Sequence, residues 1–113
     1  MIENYVEFEV GNETYKLVLR MEDILALEKK INGNPMSVFG MGERFPTVTE
    51  MCYVLWASLQ CFHHGISVDK ARGIFEGYLR SGNAQTDFLT VMMDVYAISG
   101  IIPKDAKEAE AKN

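Results

Sequence analysis

The sequence predicts an α+β domain, mainly α, in which an N-terminal β-hairpin packs on a bundle of about four helices and a charged C-terminal tail is disordered. Three observations carry this expectation. Apolar residues alternate with period two from Tyr5 to Val10, recur with a period near 3.6 from Met21, and crowd the stretch Val48–Phe62 until Glu50 is its only charge. A helix that is apolar almost all the way round must be enclosed on every side, either by the rest of the chain or by a partner.

The first strand sets Val6, Phe8 and Val10 on one face and Tyr5, Glu7 and Glu9 on the other. Gly11-Asn12-Glu13-Thr14 supplies the turn, and Tyr15-Lys-Leu-Val-Leu19 is the returning strand. From Met21 a short amphipathic helix places Ile24, Leu27 and Ile31 inward and Glu28, Lys29 and Lys30 outward, and Asn32-Gly33-Asn34-Pro35 stops it. Residues 36–46, with Gly40-Met-Gly42, have no clear period and read as an apolar-rich loop or a helical turn.

Thr47-Val-Thr-Glu50 after Pro46 fits a capping box, so the apolar helix begins near residue 48 and ends by Gly65, with a stripe of Val48, Cys52, Leu55, Leu59 and Phe62. Ser67 caps a third helix whose stripe is Ala71, Ile74, Phe75, Tyr78 and Leu79, closed by Ser81-Gly82. Asn83 or Thr86 opens a fourth, bearing Phe88, Leu89, Val91, Met92, Val95, Tyr96 and Ile98 before Ser99-Gly100, and Pro103 opposes its continuation. Residues 1–102 are therefore expected to form one globular domain. Residues 103–113, with nothing larger than Ala among the apolar residues after Pro103, are expected to be a flexible charged tail.

The net charge of −5 and the absence of any Lys/Arg run longer than Lys29-Lys30 argue against nucleic acid as a ligand. The first residues carry no basic segment leading into an apolar one, and no apolar run approaches the roughly 20 residues of a membrane span, so a soluble cytoplasmic protein is expected. Cys52 and Cys61 fall on opposite sides of the apolar helix, about 13 Å apart along its axis, and read as two reduced, small apolar side chains.

Catalytic, metal and cofactor sites are not expected. Cys61, His63 and His64 are the only cluster of soft ligands, and Cys61 and His64 share a helix face, but zinc usually needs three or four protein ligands. A histidine at a helix end, interacting with the C-terminal dipole, is the simpler role. No Ser, Cys or Asp stands at informative spacing to make either His a catalytic base. Glu7 and Glu9 read as the exposed face of a hairpin with Lys16 opposite. Gly40-x-Gly42 leads into Glu43-Arg44, so it lacks the Lys-Ser/Thr of a phosphate loop.

What remains is surplus apolar surface. Met51, Tyr53, Val54, Trp56, Ala57 and Cys61 lie outside the stripe of the apolar helix, and residues 84–102 carry only Asp87 and Asp94 as charges. Core packing accounts for most of this, and Met-rich, aromatic surface is also what interfaces use. Met51, Trp56, Met92, Met93 and Tyr96 are accordingly the expected partner-binding residues.

The order of segments Tyr15-Lys-Leu-Val-Leu-Arg20, Asp23-Ile-Leu-Ala-Leu-Glu-Lys29, Thr47-Val-Thr-Glu-Met-Cys-Tyr-Val-Leu-Trp-Ala-Ser-Leu-Gln60 and Gly65-Ile-Ser-Val-Asp-Lys-Ala71 resembles the tail assembly chaperones of long-tailed bacteriophages and prophages. The resemblance covers about residues 5–102 and rests on hydrophobic patterns. It implies a non-enzymatic protein that keeps the aggregation-prone tape-measure protein soluble while tail tube subunits polymerise, with the tape-measure protein and the tail tube protein as partners and a homo-oligomer as its form. It also implies an extended form made by ribosomal frameshifting, and Ala111-Lys112-Asn113 is compatible with a slippery codon run. A small structural or adaptor protein of phage morphogenesis, binding a folded partner in fixed stoichiometry, is the alternative.

Overall fold

The structure, a computed structural model, describes residues 4–104, so the tail beyond Lys104 lies outside the described residues. Strands β1 (Val6–Val10) and β2 (Glu13–Leu17) pair antiparallel, with Phe8 opposite Tyr15 and Glu7 opposite Lys16. Gly11, at φ +60°, takes the first position of the two-residue turn, a backbone conformation that glycine adopts without strain. The α+β, mainly α fold expected from the sequence is the one observed.

Helix α1 spans Met21–Ile31 and a segment of 3-10 helix spans Pro35–Gly42; α2 (Val48–Leu59), α3 (Val68–Arg80) and α4 (Asp87–Ile98) follow. The capping box of α2 is formed as the sequence predicts. The Glu50 amide donates to the Thr47 hydroxyl at 3.1 Å, and the Glu50 carboxylate accepts from the Thr47 amide at 2.9 Å. Ser67 caps α3 through the Lys70 amide at 3.0 Å. Helix α4 starts differently. Thr86 makes no side-chain cap, Asp87 Oδ2 accepts the Ala84 amide at 2.7 Å, and Asn83 turns back to donate to the Tyr78 carbonyl at the end of α3.

Helix α2 is the centre of the domain. It packs against α1, α3, β2 and α4, and Met51, Cys52, Val54, Leu55, Ala57, Ser58 and Leu59 are all buried. The expected stripe needs correction at both ends. Val48 sits in the first turn and is 43% exposed. The helix ends at Leu59, five or six residues before the expected stop, so Phe62 lies in the following turns and is only half-buried. The early end frees the Ser58 carbonyl to accept the Val18 amide at 3.1 Å, which ties the chain leaving β2 to α2.

That tie explains why Leu17, Val18 and Leu19 are buried in succession, where a strand facing solvent on one side would alternate. The chain quits the sheet after Leu17 and runs into the interior, where the Leu19 amide donates to Ser99 Oγ at 2.9 Å. Phe8 closes the hairpin onto the helices. Its ring lies 4.8 Å from Tyr78 and 5.6 Å from Phe88, and Phe88 meets Phe75 edge-on at 5.1 Å.

Asp23, which the sequence gives no reason to place inside, is buried at the start of α1. Its carboxylate accepts from the Arg20 amide at 3.0 Å and from the Arg20 guanidinium at 2.9 and 3.1 Å, and this bonding raises the Arg20 pKa further.

Candidate functional site: an apolar groove beside the 3-10 segment

The 3-10 segment is a run of eight residues, long for a geometry usually limited to three or four, and it is pinned along its length. Asn34 Oδ1 accepts the Met36 amide at 2.8 Å, and Ser37 Oγ donates to the Asn34 carbonyl at 2.6 Å. Pro35 is buried, and its carbonyl accepts the Tyr96 hydroxyl at 2.9 Å. Val38 inserts fully into the core, and Phe39 meets the Tyr96 ring edge-on at 6.1 Å.

Arg44 secures the other end. One guanidinium nitrogen donates to the Ser37 and Val38 carbonyls at 3.1 and 3.0 Å, and the other reaches Glu50 Oε1 at 2.7 Å. Burial works against the charge on Glu50, but the Thr47 amide and the Arg44 guanidinium outweigh it and hold the carboxyl below its ordinary range. Gly40, at φ +51°, makes the return possible, because a Cβ there would lie 2.5 Å from Arg44 Cγ.

Pinned in this way, the segment forms one wall of a groove of about 920 Å³ lined by Met36, Phe39, Gly40 and Gly42 and, across from them, Met93 of α4. Asn34 and Ser37 supply its polar rim, and among the described residues no titratable side chain lines it. A groove of this kind offers dispersion contacts and displaced water, and Met36 and Met93 adapt to differently shaped apolar side chains. It is suited to holding a partner's side chains.

The five residues singled out from sequence divide. Met51, Met92 and Tyr96 are buried in the core, so their assignment to a partner surface is corrected: α1 and α3 pack on α2, α2 and β1 pack on α4, and the 3-10 segment lies against Tyr96. The phenol of Tyr96 has its pKa raised, burial being the main cause, and it spends its proton on Pro35. Met93 lines the groove. Trp56 is half-buried, with Lys30 Nζ 5.5 Å from its ring centroid, so a cation covers part of the surface expected to receive a partner. Phe45 and Met21, about 70% exposed, and Leu25, one turn on from Met21, are further apolar surface.

Sequence reasoning missed Met36, Phe39 and Phe45 as surface. The available signal was an apolar run without period behind Pro35, which cannot bury all of its side chains on one face. His63 takes a structural role: its Nε2 accepts the Lys16 amide at 3.1 Å and its ring meets Tyr15 edge-on, while burial, with the nearby Lys16 charge, lowers its pKa. His64 is exposed, and the helical face it was expected to share with Cys61 does not exist beyond Leu59. Among the described residues no group of three or more His, Cys, Asp or Glu is placed to hold a metal ion, and no helix is long and apolar enough to cross a membrane.

Residues 5–113 match the model of a protein family described as a family of unknown function (DUF6096). No curated protein and no solved structure matches the chain.

Proposed function

The chain belongs to the DUF6096 family, and we propose that it is a tail assembly chaperone of a phage or prophage, acting in the host cytoplasm to keep a tape-measure protein soluble while the tail tube assembles. The role is non-enzymatic. Apolar side chains of the partner enter the groove between the 3-10 segment and α4, are held there without covalent chemistry, and are released as tube subunits compete for them. The reading begins from the resemblance of the hydrophobic pattern over residues 5–102 to that family of chaperones.

The observation that supports it most is the groove itself, with Met36, Phe39 and Met93 as adaptable lining on a rigidly pinned segment. A holdase must bind segments of varied shape and let them go. Methionine surface supplies adaptable contacts, and a lining that holds no charged side chain among the described residues avoids the cost of desolvating ions at each exchange.

Coexpression with a tape-measure fragment tests the proposal. The wild-type chain is expected to keep the fragment in the soluble fraction, and Met93→Gln, which changes a half-exposed side chain, is expected to reduce that protection with little change in the melting temperature. A chain that binds only a folded partner in fixed stoichiometry, without protecting the fragment, would instead be the adaptor. Equal protection by Met93→Gln would remove the groove from the reading.

A further inference from the structure

The two edges of the hairpin differ in how much of each is covered. In a two-residue hairpin Val10 and Glu13 form the first hydrogen-bonded pair, so the backbone groups of Thr14 and Lys16 point away from β1 and those of Glu7 and Glu9 point away from β2. On the β2 side the edge is closed from Lys16 onward, and the Thr14 amide nearest the turn is left open. The Lys16 amide donates to His63 Nε2, and the next outward amide, Val18, donates to the Ser58 carbonyl.

On the β1 side nothing comparable occurs among the described residues. The outward amides and carbonyls of Glu7 and Glu9 meet no backbone or side-chain partner, and both residues are exposed. Their carboxylates are likewise unengaged in ion pairs. Lys16, which stands opposite Glu7 in the register, directs its ammonium to the rings of Tyr5 and Phe62, at 4.9 and 5.5 Å from their centroids. Tyr5 and Val6, at the start of the edge, also line a hollow of about 410 Å³ against Ala97 and Ile98 of α4.

We infer that the outer edge of β1 is a second interaction surface, which accepts an extended, basic partner segment as a third strand of the sheet. Backbone bonds from Glu7 and Glu9 set the register, and Lys or Arg side chains at alternate positions of the partner, directly across from each carboxylate, supply the preference. The same charges disfavour a second copy of this chain as the occupant. Two β1 edges joined antiparallel about a two-fold axis would set Glu7 and Glu9 of one copy against the like residues of the other, and like charges directly opposite are destabilising. The surface lies on the hairpin, away from the groove beside the 3-10 segment, and does not depend on the chaperone reading.

The probe is a seven-residue peptide alternating Lys with Val, added to the full chain while amide hydrogen exchange is followed by NMR. The Glu7 and Glu9 amides are expected to slow by about tenfold or more at saturation while the already bonded Lys16 and Val18 amides change little. The double variant Glu7→Lys, Glu9→Lys is expected to lose this peptide and to take one alternating Glu with Val. Unchanged exchange at Glu7 and Glu9, or equal binding of a peptide N-methylated at the amides facing β1, would overturn the proposal, since simple charge attraction needs no backbone bonds. Protection of the same amides by self-association without peptide would also overturn it and would make a second copy the occupant.

Discussion

Helices α2 and α4 have the same length and nearly the same apolar character, yet one is enclosed and the other is not. Helix α2 has α1, α3, β2 and α4 around it, so even Ser58 is buried and spends its hydroxyl on the Val54 carbonyl. Helix α4 has β1 and α2 along its inner face, with single side chains of α3 and the 3-10 segment against Phe88 and Tyr96, and Leu89, Val91, Met93 and Ile98 are left half-buried. Composition alone therefore did not decide which helix is core. The number of packed neighbours did, because among the described residues four elements lie against α2 and leave it little free surface, while the outer face of α4 is left half-buried.

Truncating each helix at a leucine gives the sharpest test of this contrast. Leu55→Ala in α2 removes a fully buried side chain and is expected to cost about 2–5 kcal/mol, whereas Leu89→Ala in α4 is expected to cost less than half as much, read as the shift in urea midpoint. Equal losses would mean that α4 is as enclosed as α2.

Next in size is Tyr96→Phe, which keeps the ring but strands the buried Pro35 carbonyl, at an expected cost of about 1–3 kcal/mol. The same variant should loosen the 3-10 segment, visible as faster exchange of the Met36 and Ser37 amides. A rigid segment after the change would show that Arg44, the Asn34 and Ser37 bonds and the inserted Val38 hold it without Tyr96.

Thr47→Ala removes the cap of α2 and is expected to cost about 1 kcal/mol, while Thr86→Ala at α4, where the threonine caps nothing, should cost little. Thermal melts of the two variants measure the difference directly.

The smallest effect is that of pH. Because His63 has a lowered pKa in the folded state, the unfolded chain takes up its proton first. Stability is then whole above the ordinary histidine value of about 6.5 and declines as pH falls from there through the folded value. His63→Gln, which can offer an oxygen to the Lys16 amide without titrating, is expected to flatten that decline in urea melts between neutral and mildly acidic pH.

Much of this architecture was legible because the signals were local. The capping box at Thr47 and Glu50, the Ser67 cap, the hairpin and the α3 stripe are each fixed by residues a few positions apart. What was not legible depends on distant partners. Nothing near Ser58 in sequence announces that its carbonyl will serve Val18, and nothing near Tyr96 announces Pro35, so neither the early end of α2 nor the burial of Tyr96 could be read in advance. At the groove, Met93 stands in a helix whose period could be read, whereas Met36 and Phe39 were hidden in a stretch without periodicity.

The Phe8 ring has a consequence for how the chain is made. It is covered by Tyr78 and Phe88, and the Leu19 amide finds its acceptor at Ser99, so β1 lacks its full apolar cover until α3 and α4 have left the ribosome. Contacts of such long sequence separation also slow folding. During that interval the nascent chain displays an apolar strand of its own, and it must stay soluble through the same hazard from which it is proposed to protect its partner.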